Sequence, residues 1–428
     1  MICSGCVKKT QLKKFVLDKG YLGQCNYCEQ IAKGVERATL FDHILDLVNI
    51  NIATRDDLSD FELGMIYHGG SDEIAVQDIG IVLSEWFELG EEPYIDDLMA
   101  YLPEEYKKDE DGSERHYFFD DGNLEQNIYE EKWERFVTDV RYSHRFFNPN
   151  ARKFLDSVFS MLTVDDGNLK PEIIRLFRKG DLLYRARIAQ TYEAAEKIEA
   201  SPDKELGPTP RDKAGSQRMT PNGISALYCA LDRQTCLSEI RAITGDNVVS
   251  GAITPTTQLK LLDLTQLELV EPTKHTLFDE GYRDFLHLTN FLKSMVKKMS
   301  KPKGRNDDLS YLSTQVVFEY LRIKFGSQVD GLVFPSVQTG EVGINVVLFP
   351  EACVISEEQY YPQEEMERLL GKVTLVEQPQ FHQHEKLAFV ASSLRFHKIK
   401  AIETRADEYS QKYEMFMSDL VRKRLSLI

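Results

Sequence analysis

The sequence predicts an α+β protein, and three observations lead to this class. Helical patterns alternate with strands after residue 170, in TCLSEIRAIT, RDFLHLTNFLKSMVKKM and YLSTQVVFEYLRIKF. QTGEVG supplies the glycines of a hairpin turn between the last two strands. Short apolar segments have the length and composition of strands: LLYRARI (182–188), ALYCAL (226–231), QLKLLDL (258–264), GLVFPSV (331–337) and INVVLFP (344–350). Strands separated by helices in this way favour an α+β arrangement.

The composition is that of a soluble globular protein with more than one domain. The chain has 428 residues, of which 42% are hydrophobic and 28% are charged. Its longest apolar runs, such as INVVLF, are far too short to span a bilayer. The first ten residues, MICSGCVKKT, lack the apolar core of a signal peptide. We therefore expect a cytoplasmic protein without a membrane partner.

The balance of charges is strongly acidic. The 52 lysine and arginine residues are outnumbered by 69 aspartate and glutamate residues, which gives a net charge of −17. Such a surface repels phosphate backbones, so a nucleic-acid partner would need a local basic patch. Lys8, Lys9, Lys13 and Lys14 are candidates for such a patch, but a solvated helix face is the preferred interpretation. We do not expect nucleic acid to be the main partner.

Two Cys-x-x-Cys pairs lie close to the N-terminus. CSGC contains Cys3 and Cys6, and CNYC contains Cys25 and Cys28. The two-residue spacing lets both thiolates of a pair face one ion, and the second pair completes a tetrahedron. We predict a structural Zn²⁺ site, because four thiolates leave no open position for a water molecule. The remaining cysteines lie in apolar segments and are interpreted as reduced core residues: Cys229, Cys236 and Cys353.

Changes in composition along the chain divide it into four predicted parts. Residues 1–34 form the cysteine module, and residues 35–168 form a mainly helical domain that we interpret as regulatory or sensory. Residues 169–365 form the α+β domain. Residues 366–428 form a C-terminal helical extension, with an apolar stripe from Ala406 to Leu420. We expect this stripe to pack on its own domain, and formation of a homodimer is the alternative.

The stretch GSQRMTPNGISALYCALDRQTCLSEIR (215–241) brings several functional residue types together. Its Pro-Asn-Gly turn separates Arg218 from the strand that carries Tyr228. Asp232 is a suitable N-cap for the helix that follows, and Gly245 is a suitable stop for it. An arginine, a tyrosine and a helix therefore arrive at one place from consecutive local structures.

Three further side chains are candidates for the same cleft. Glu239 lies on the helix predicted after Asp232, at the edge of its buried stripe. Partial burial at such a position can shift the pKa of a carboxylate. The stripe consists of Cys236, Ile240 and Ile243. Arg185 sits inside an apolar strand, which is unfavourable for a cation unless an anion meets it. Ser313 shares a helical face with apolar residues, so its hydroxyl should point inward. Each of these residues has an alternative as a core, surface or ion-pair residue.

Taken together, these motifs resemble the RES domain, which is named after an arginine, a glutamate and a serine. LLYRAR, RMTPNG, YCA, EIR, YLSTQ and VDGLVFPS follow one another in the order of this family, and NVVLF ends the series. The resemblance assigns the functional residues of the family to Arg185, Arg218, Tyr228, Glu239 and Ser313. The family usually has tryptophan directly after the second arginine, where this chain has Met219.

The resemblance implies an ADP-ribosyltransferase-like fold and a toxin that consumes NAD⁺. Cleavage of the nicotinamide–ribose bond passes through an oxocarbenium-like state, as in glycoside hydrolysis. In this hypothesis Arg185 and Arg218 bind the phosphates of NAD⁺, and Tyr228 stacks against nicotinamide or ribose. Glu239 stabilises the developing positive charge and Ser313 hydrogen-bonds near the nicotinamide. The loop before Arg218, rich in proline and glycine, is a candidate lid.

The acceptor and the role of the N-terminal part stay open at this stage. Water or phosphate as acceptor makes the protein an NAD⁺ glycohydrolase or phosphorylase, whereas a protein or small molecule makes it an ADP-ribosyltransferase. A non-catalytic, zinc-dependent binding or sensor protein is the alternative from another class. The N-terminal part resembles a module found ahead of RES and HEPN effectors in bacterial conflict proteins. This implies a defence or abortive-infection effector that is regulated within the chain, or by an antitoxin or other regulatory partner.

Overall fold

The computed structural model divides the chain into two compact units. It describes residues 1–64, 66, 75–120, 122, 127–269, 275–300, 309–340, 342–362, 379–401 and 408. The first unit contains the described residues of Met1–Trp133, Pro272–Phe291 and Glu408–Ile428. The second contains those of Glu134–Glu271 and Leu292–Asp407.

The helices are numbered in chain order. They are α1 (Thr10–Lys19), α2 (Arg37–Asn51), α3 (Asp60–Gly64), α4 (Ile79–Ile81), α5 (Ile95–Tyr101), α6 (Ile128–Tyr142), α7 (Pro149–Phe159), α8 (Tyr192–Ala200), α9 (Pro202–Glu205), α10 (Arg233–Glu239), α11 (Tyr282–Ser300) and α12 (Leu312–Phe325). Side-chain oxygens cap the first turns of several of them, including those of Asp78, Asn148, Thr191 and Asp232. In the described part of the chain, no helix has both the length and the apolar character that a bilayer crossing requires.

The strands are also numbered in chain order. They are β1 (Ile2–Cys3), β2 (Tyr21–Gln24), β3 (Ile31–Val35), β4 (Val76–Gln77), β5 (Tyr117–Phe118), β6 (Ile174–Phe177), β7 (Leu183–Ile188), β8 (Leu227–Ala230), β9 (Asn247–Pro255), β10 (Leu259–Asp263), β11 (Gly331–Pro335), β12 (Ile344–Leu348), β13 (Ile355–Tyr360), β14 (Leu387–Val390) and β15 (Arg395–Lys398).

The first unit has a mainly helical core beside a small sheet. Strands β1, β3 and β2 form the sheet in that order, and α1 lies between β1 and β2 in sequence. Apolar residues recur at three- and four-residue steps along α2, where Leu40, Ile44 and Val48 are buried. They belong to one hydrophobic cluster with Val16 of α1 and Leu98 of α5. The amphipathic pattern predicted from the sequence therefore builds this core.

The basic residues of the cysteine module are partly neutralised inside the first unit. The Nζ atom of Lys8 donates to the carbonyl of Glu91 at 2.8 Å, and Lys9 forms an ion pair with Glu88. The backbone N–H of Lys8 also donates to the carboxylate of Glu92, at 3.1 and 3.2 Å. Lys8 and Lys9 therefore lie just before α1 and contact carboxylates and a carbonyl, whereas Lys13 and Lys14 lie on α1 and are exposed.

The second unit is built on one mixed sheet. Its strand order is β13-β14-β9-β7-β8-β12-β11-β10-β6, and β15 also pairs with β9. Neighbouring strands are antiparallel except for the parallel pairs β10–β11 and β13–β14. One face of the sheet carries a hydrophobic cluster that includes Leu183, Leu227, Ile253, Val346 and Phe389. Helices and a sheet of this kind confirm the predicted α+β class.

The strand β9, which joins the two halves of this sheet, is not among the strands predicted from the sequence. Its nine residues, NVVSGAITP, are buried except for the first, and they include small side chains that weaken the usual apolar pattern. It pairs with β7 so that Gly251 lies opposite Arg185. A Cβ atom at Gly251 would lie 2.6 Å from the ring of Phe389, so the close approach there requires glycine.

The helix α10, which follows the strand that carries Tyr228, is shorter than predicted. α10 begins after Asp232, whose side chain accepts from the N–H of Thr235 at 2.8 Å, as expected of an N-cap. It ends at Glu239 and does not reach Gly245, and shortly beyond its end Arg241 adopts φ 51°, in the left-handed region. Ile243, predicted to be buried, is 66% exposed.

The predicted C-terminal helical extension (366–428) contains two strands. β14 and β15 lie within it and pair with β9. The LAFV segment of β14 is buried at all four positions, because it completes the sheet. The helical prediction is therefore wrong for these two segments, and the predicted helix from Ala406 to Leu420 lies, apart from Glu408, outside the described residues.

A buried carboxylate ties the end of β5 to α11 in the first unit. One oxygen of Asp120 lies 2.8 Å from Nε of Arg283 and 2.7 Å from Nε2 of His287. The Nδ1 atom of His287 accepts from the N–H of Ile128 at 3.4 Å, so its Nε2 carries the proton that Asp120 accepts. Burial acts to raise the pKa of Asp120, but the hydrogen bond from His287 and the charge of Arg283 hold it below its ordinary value.

Replacing Asp120 with asparagine should lower the free energy of unfolding of the first unit by about 1–3 kcal/mol, because Arg283 and His287 lose a buried charged acceptor while Arg283 keeps its ion pair with Asp57. Both tryptophans of the chain, Trp86 and Trp133, lie in this unit, so tryptophan fluorescence in a denaturant series reports on it. The folded pKa of Asp120 is lowered. Its contribution is therefore present above the unfolded pKa and lost as the pH falls through the folded pKa, so the difference between the two proteins should shrink in acid.

A matched control is Glu104→Gln in the same unit. The side chain of Glu104 is 76% exposed and its partners are the surface residues Lys107 and Lys108. This change should alter the free energy of unfolding by less than about 1 kcal/mol. Equal effects of the two substitutions would contradict the structural role of Asp120.

Candidate active site

A cavity of about 340 Å³ lies in the second unit, within the size range of small-molecule sites. Strands β7, β8, β11 and β12 contribute to its wall, together with α10 and the segments before β8 and α12. Four of the five residues predicted from the sequence line it: Arg185, Arg218, Tyr228 and Glu239. The fold therefore brings together side chains that are up to 54 positions apart in the sequence.

The side chain of Arg185 lines this cavity at the point where strands β7 and β8 diverge. β7 and β8 share a single registered pair, Tyr184 with Ala230, so the strands diverge beside Arg185. Its Nη1 atom donates to the carbonyl of Tyr228 at 3.3 Å. Burial lowers the pKa of Arg185 from its ordinary value, although a guanidinium stays charged in proteins.

The cysteines near the cavity do not neutralise Arg185. The thiols of Cys229, Cys236 and Cys353 interact with it electrostatically, and the first two line the same cavity. Burial raises the pKa of each thiol to about 12, so they stay uncharged at neutral pH. Within the described ranges Arg185 has no carboxylate partner. The cavity therefore keeps an uncompensated positive charge on this wall.

Arg218 adds a second positive charge from the loop before β8. Its side chain is 9% exposed, and its Nε atom has no hydrogen-bond partner among the residues described. A buried guanidinium without an anion is unfavourable, and each unmade hydrogen bond adds to the penalty. The most direct explanation of both arginines is an anionic ligand in the cavity.

Tyr228 is fixed by the residue that follows Arg218. The N–H of Met219 donates to the hydroxyl oxygen of Tyr228 at 2.9 Å. Burial raises the pKa of Tyr228 to about 12, so the phenol stays neutral. Met219 itself is fully buried and does not line the cavity. The methionine thus contributes its backbone to the site, whereas its side chain belongs to the core.

Glu239 presents its carboxylate to the cavity from the last turn of α10. Its Oε1 atom accepts from the hydroxyl of Ser336 at 2.5 Å and from Nδ2 of Asn345 at 2.6 Å. Both donors are buried, with 0% and 5% exposure. For Oε2 the described residues offer no recorded partner. One oxygen is therefore held in place, and the other is available to a ligand.

The hairpin of β11 and β12 delivers both donors to Glu239. The strands pair in register from Gly331 with Leu348 to Pro335 with Ile344. The turn between them contains Gly340 at φ 66°, which favours glycine. A Cβ atom at Gly343 would lie 2.1 Å from Oγ1 of Thr235 in α10, so the hairpin and the helix approach this closely only with glycine there.

Ser313 lies near the cavity but is not among the residues that line it. It is 6% exposed at the start of α12, so its side chain is buried as expected. Tyr311, two residues earlier, does line the cavity. The neighbours of Ser313 contact the loop of Arg218: the hydroxyl of Thr314 donates to the carbonyl of Arg218 at 2.6 Å.

Several lining residues were not predicted as functional. Asn345 and Tyr184 lie within the motifs NVVLF and LLYRAR, and Ser336, which contacts Glu239 without lining the cavity, lies within VFPS. Nothing in those motifs indicates a contact with Glu239 or a place on the cavity wall. Arg241 is exposed and lines the cavity from two residues beyond the end of α10. A buried serine or asparagine next to a glycine hairpin is the only signal in the sequence that could have indicated the donors.

The charges of the cavity are unequal. Arg185, Arg218 and Arg241 line it, against the single carboxylate of Glu239. The excess of positive charge favours an anionic ligand in this cavity.

A four-cysteine cluster lies in the first unit, apart from this chemistry. The Sγ atoms of Cys3, Cys6, Cys25 and Cys28 all lie within 4.8 Å of one another. Those of Cys3 and Cys28 are 3.6 Å apart, and those of Cys6 and Cys25 are 3.7 Å apart. A tetrahedral zinc–thiolate site needs sulfur–sulfur distances of about 3.8 Å, since each Zn–S bond is about 2.3 Å. The donor set and its spacing therefore fit one metal ion.

Comparison with known proteins assigns the part of the chain that contains the cavity. Residues 182–368 match the family model of the RES domain. No curated protein and no solved structure matches the chain. The matched range contains every residue named above in the cavity wall. The chain therefore contains a RES domain, which spans residues 182–368 and is preceded by the four-cysteine cluster.

Proposed function

We propose that this protein cleaves the nicotinamide–ribose bond of NAD⁺ in the cavity of its RES domain. It would act as an NAD⁺ glycohydrolase or phosphorylase and serve as a toxin or abortive-infection effector. One observation carries the proposal. Arg185 and Arg218 lie in the cavity without carboxylate partners among the described residues, and the carboxylate of Glu239 lines the same cavity. The family match supports an NAD⁺-acting enzyme.

Arg185 and Arg218 bind the pyrophosphate of NAD⁺ in this proposal. A guanidinium forms paired hydrogen bonds with phosphate oxygens, and these charge-assisted bonds are about twice as strong as neutral ones. The unpartnered Nε of Arg218 supplies one donor for such a bond. Binding of the anion would remove the cost of burying both cations.

Tyr228 and Glu239 act on the ribose–nicotinamide end. The ring of Tyr228, fixed through its hydroxyl, offers a flat surface for stacking. Glu239 accepts from a ribose hydroxyl through Oε2 while Ser336 and Asn345 hold Oε1. As the bond to nicotinamide breaks and C1′ becomes positive, the carboxylate stabilises that charge. The hydrogen bond between Ser313 and the nicotinamide end stays a prediction. Ser313 does not line the cavity, whereas Tyr311, two residues earlier, does.

Zn²⁺ is the metal that we propose for Cys3, Cys6, Cys25 and Cys28. A closed Cys₄ site supplies no Lewis acid to the cavity and stabilises the fold of the cysteine module. The residues before the RES domain would regulate the enzyme within the chain, with a separate antitoxin as the alternative.

Glu239→Gln should reduce nicotinamide release by about 10²–10⁴-fold. Glutamine keeps an oxygen that accepts from Ser336 and Asn345, so the substitution removes the charge and preserves the geometry. Purified protein is incubated with NAD⁺, with and without phosphate, and free nicotinamide is measured. Ribosyl products are identified at the same time: ADP-ribose indicates hydrolysis, ADP-ribose 1″-phosphate indicates phosphorolysis, and labelled protein indicates transfer.

The control for this experiment is Glu193→Gln, which changes an exposed glutamate of α8 in the same unit. It should leave nicotinamide release unchanged. No release by the wild-type chain would rule out the proposed activity and favour a non-catalytic binding protein. Equal release by the wild-type chain and the Glu239 variant would rule out the proposed role of Glu239.

Arg218→Lys should raise KM for NAD⁺ about 10- to 100-fold, because lysine keeps the charge but loses the planar fork. The turnover number should change less than KM, since the lost contacts hold the substrate in both the ground state and the transition state. Steady-state kinetics separate the two constants. An unchanged KM would place the pyrophosphate elsewhere.

Cys6→Ser should remove the bound metal and lower the unfolding midpoint of the first unit, while nicotinamide release persists at a temperature where the variant is folded. Metal analysis of purified protein measures the stoichiometry, with one zinc per chain expected. Cys353→Ser, which changes a buried thiol outside the cluster, should retain the zinc. A Cys6 variant with a full complement of zinc would disprove the proposed ligand set.

A further inference from the structure

The loop that carries Arg218 is anchored by Gln315, a residue of α12. Gln315 is 7% exposed. Its Nε2 atom lies 2.9 Å from the hydroxyl oxygen of Ser216, 2.8 Å from the carbonyl of Gln217 and 3.2 Å from the carbonyl of Thr220. One side-chain amide thus contacts the loop on both sides of the arginine. Gln315 itself does not line the cavity.

Thr314 completes this anchor. It is 4% exposed, and its hydroxyl lies 2.6 Å from the carbonyl of Arg218 and 2.8 Å from the carbonyl of Tyr311. The carbonyls of residues 217, 218 and 220 therefore all face donors at the start of α12. Inside the loop, the N–H of Gln217 donates to the carbonyl of Thr220 at 2.8 Å. These bonds close the loop into a rigid turn.

The guanidinium of Arg218 depends on this backbone for its position. The described residues give its Nε atom no partner. Arginine has about 2 kcal/mol of rotamer entropy, so a side chain without partners is placed mainly by the backbone that carries it. Binding groups must be held to about 0.5 Å for full effect. The anchor at α12 supplies that constraint.

We propose that Gln315, supported by Thr314, is a positioning residue: it fixes the loop backbone so that Arg218 meets the anionic part of the substrate. This inference rests on the proposed function, in which that part is the pyrophosphate of NAD⁺. It also limits the prediction that the loop before Arg218 acts as a lid. The end of that segment, residues 216–220, is anchored, so any closure would involve residues before Ser216.

The test replaces Gln315 with methionine, which has a similar length and volume but no donors. Binding of ADP-ribose to the full chain is measured by calorimetry, and KM and kcat for NAD⁺ are measured by nicotinamide release. We expect affinity for ADP-ribose to fall and KM to rise by about 10- to 100-fold, with a smaller change in kcat. Gln315→Glu should have a larger effect, because its carboxylate would face three oxygens.

Gln328→Met is the matched control. The amide of Gln328 also anchors a loop of the second unit: its Oε1 accepts from the N–H of Leu169 at 2.8 Å, and its Nε2 donates to the carbonyl of Gly167 at 3.3 Å. Gln328 does not line the cavity. The same exchange there should leave ADP-ribose affinity and KM unchanged, even where it lowers stability.

A double-mutant cycle with Arg218→Ala decides whether Gln315 acts through the arginine. Once the guanidinium is gone, Gln315→Met should weaken ADP-ribose binding by less than about twofold further. Additive effects, wild-type affinity of Gln315→Met, or equal losses in the Gln315 and Gln328 variants would overturn the inference and leave the proposed function intact. A wild-type chain that neither binds ADP-ribose nor releases nicotinamide would overturn the proposed function, and the inference with it.

Discussion

A guanidinium that is removed from water with no anion beside it is unfavourable, and two arginines of the cavity in the second unit have no carboxylate partner among the described residues. Arg185 is half-buried beside the uncharged thiols of Cys229 and Cys236, and Arg218 is buried with an Nε atom that has no partner in the described part of the chain. The fold must offset this cost through the rest of its core. An arrangement that lowers stability in the free protein is understandable where a ligand supplies the missing charge. The remaining features of the site are organised around this deficit of negative charge.

The single carboxylate of the cavity is held in a different manner from the two cations. Glu239 receives two hydrogen bonds from buried donors, so its position is determined before any ligand binds. Preorganised groups of this kind need no rearrangement when charge develops on a substrate. Arg218, in contrast, is placed through its backbone by Gln315 and Thr314. The site thus combines a directly fixed anion with an indirectly fixed cation, both dependent on elements that lie later in the chain.

The sequence predicts the lining residues better than it predicts their supports. Arg185, Arg218, Tyr228 and Glu239 carry charge or aromatic character at unusual places, so a single chain is enough to single them out, and the order of the motifs indicates the RES domain. The donors to Glu239 are 97 and 106 residues away, and only the packing of a hairpin on α10 brings them there. β9 escapes prediction for a related reason: its Gly251 is explained by the ring of Phe389, which lies far away in the sequence. Sequence patterns reflect interactions between residues that are close in sequence, whereas these contacts join residues that are far apart in sequence.

The order of these elements along the chain has a consequence for protein synthesis. Glu239 leaves the ribosome about a hundred residues before Ser336 and Asn345, and Arg218 precedes its anchor Gln315 by 97 positions (315 − 218). β14 and β15, which both pair with β9, follow later still. A nascent chain therefore carries Glu239 and Arg218 long before the residues that hold their positions, Ser336, Asn345 and Gln315, have been synthesised.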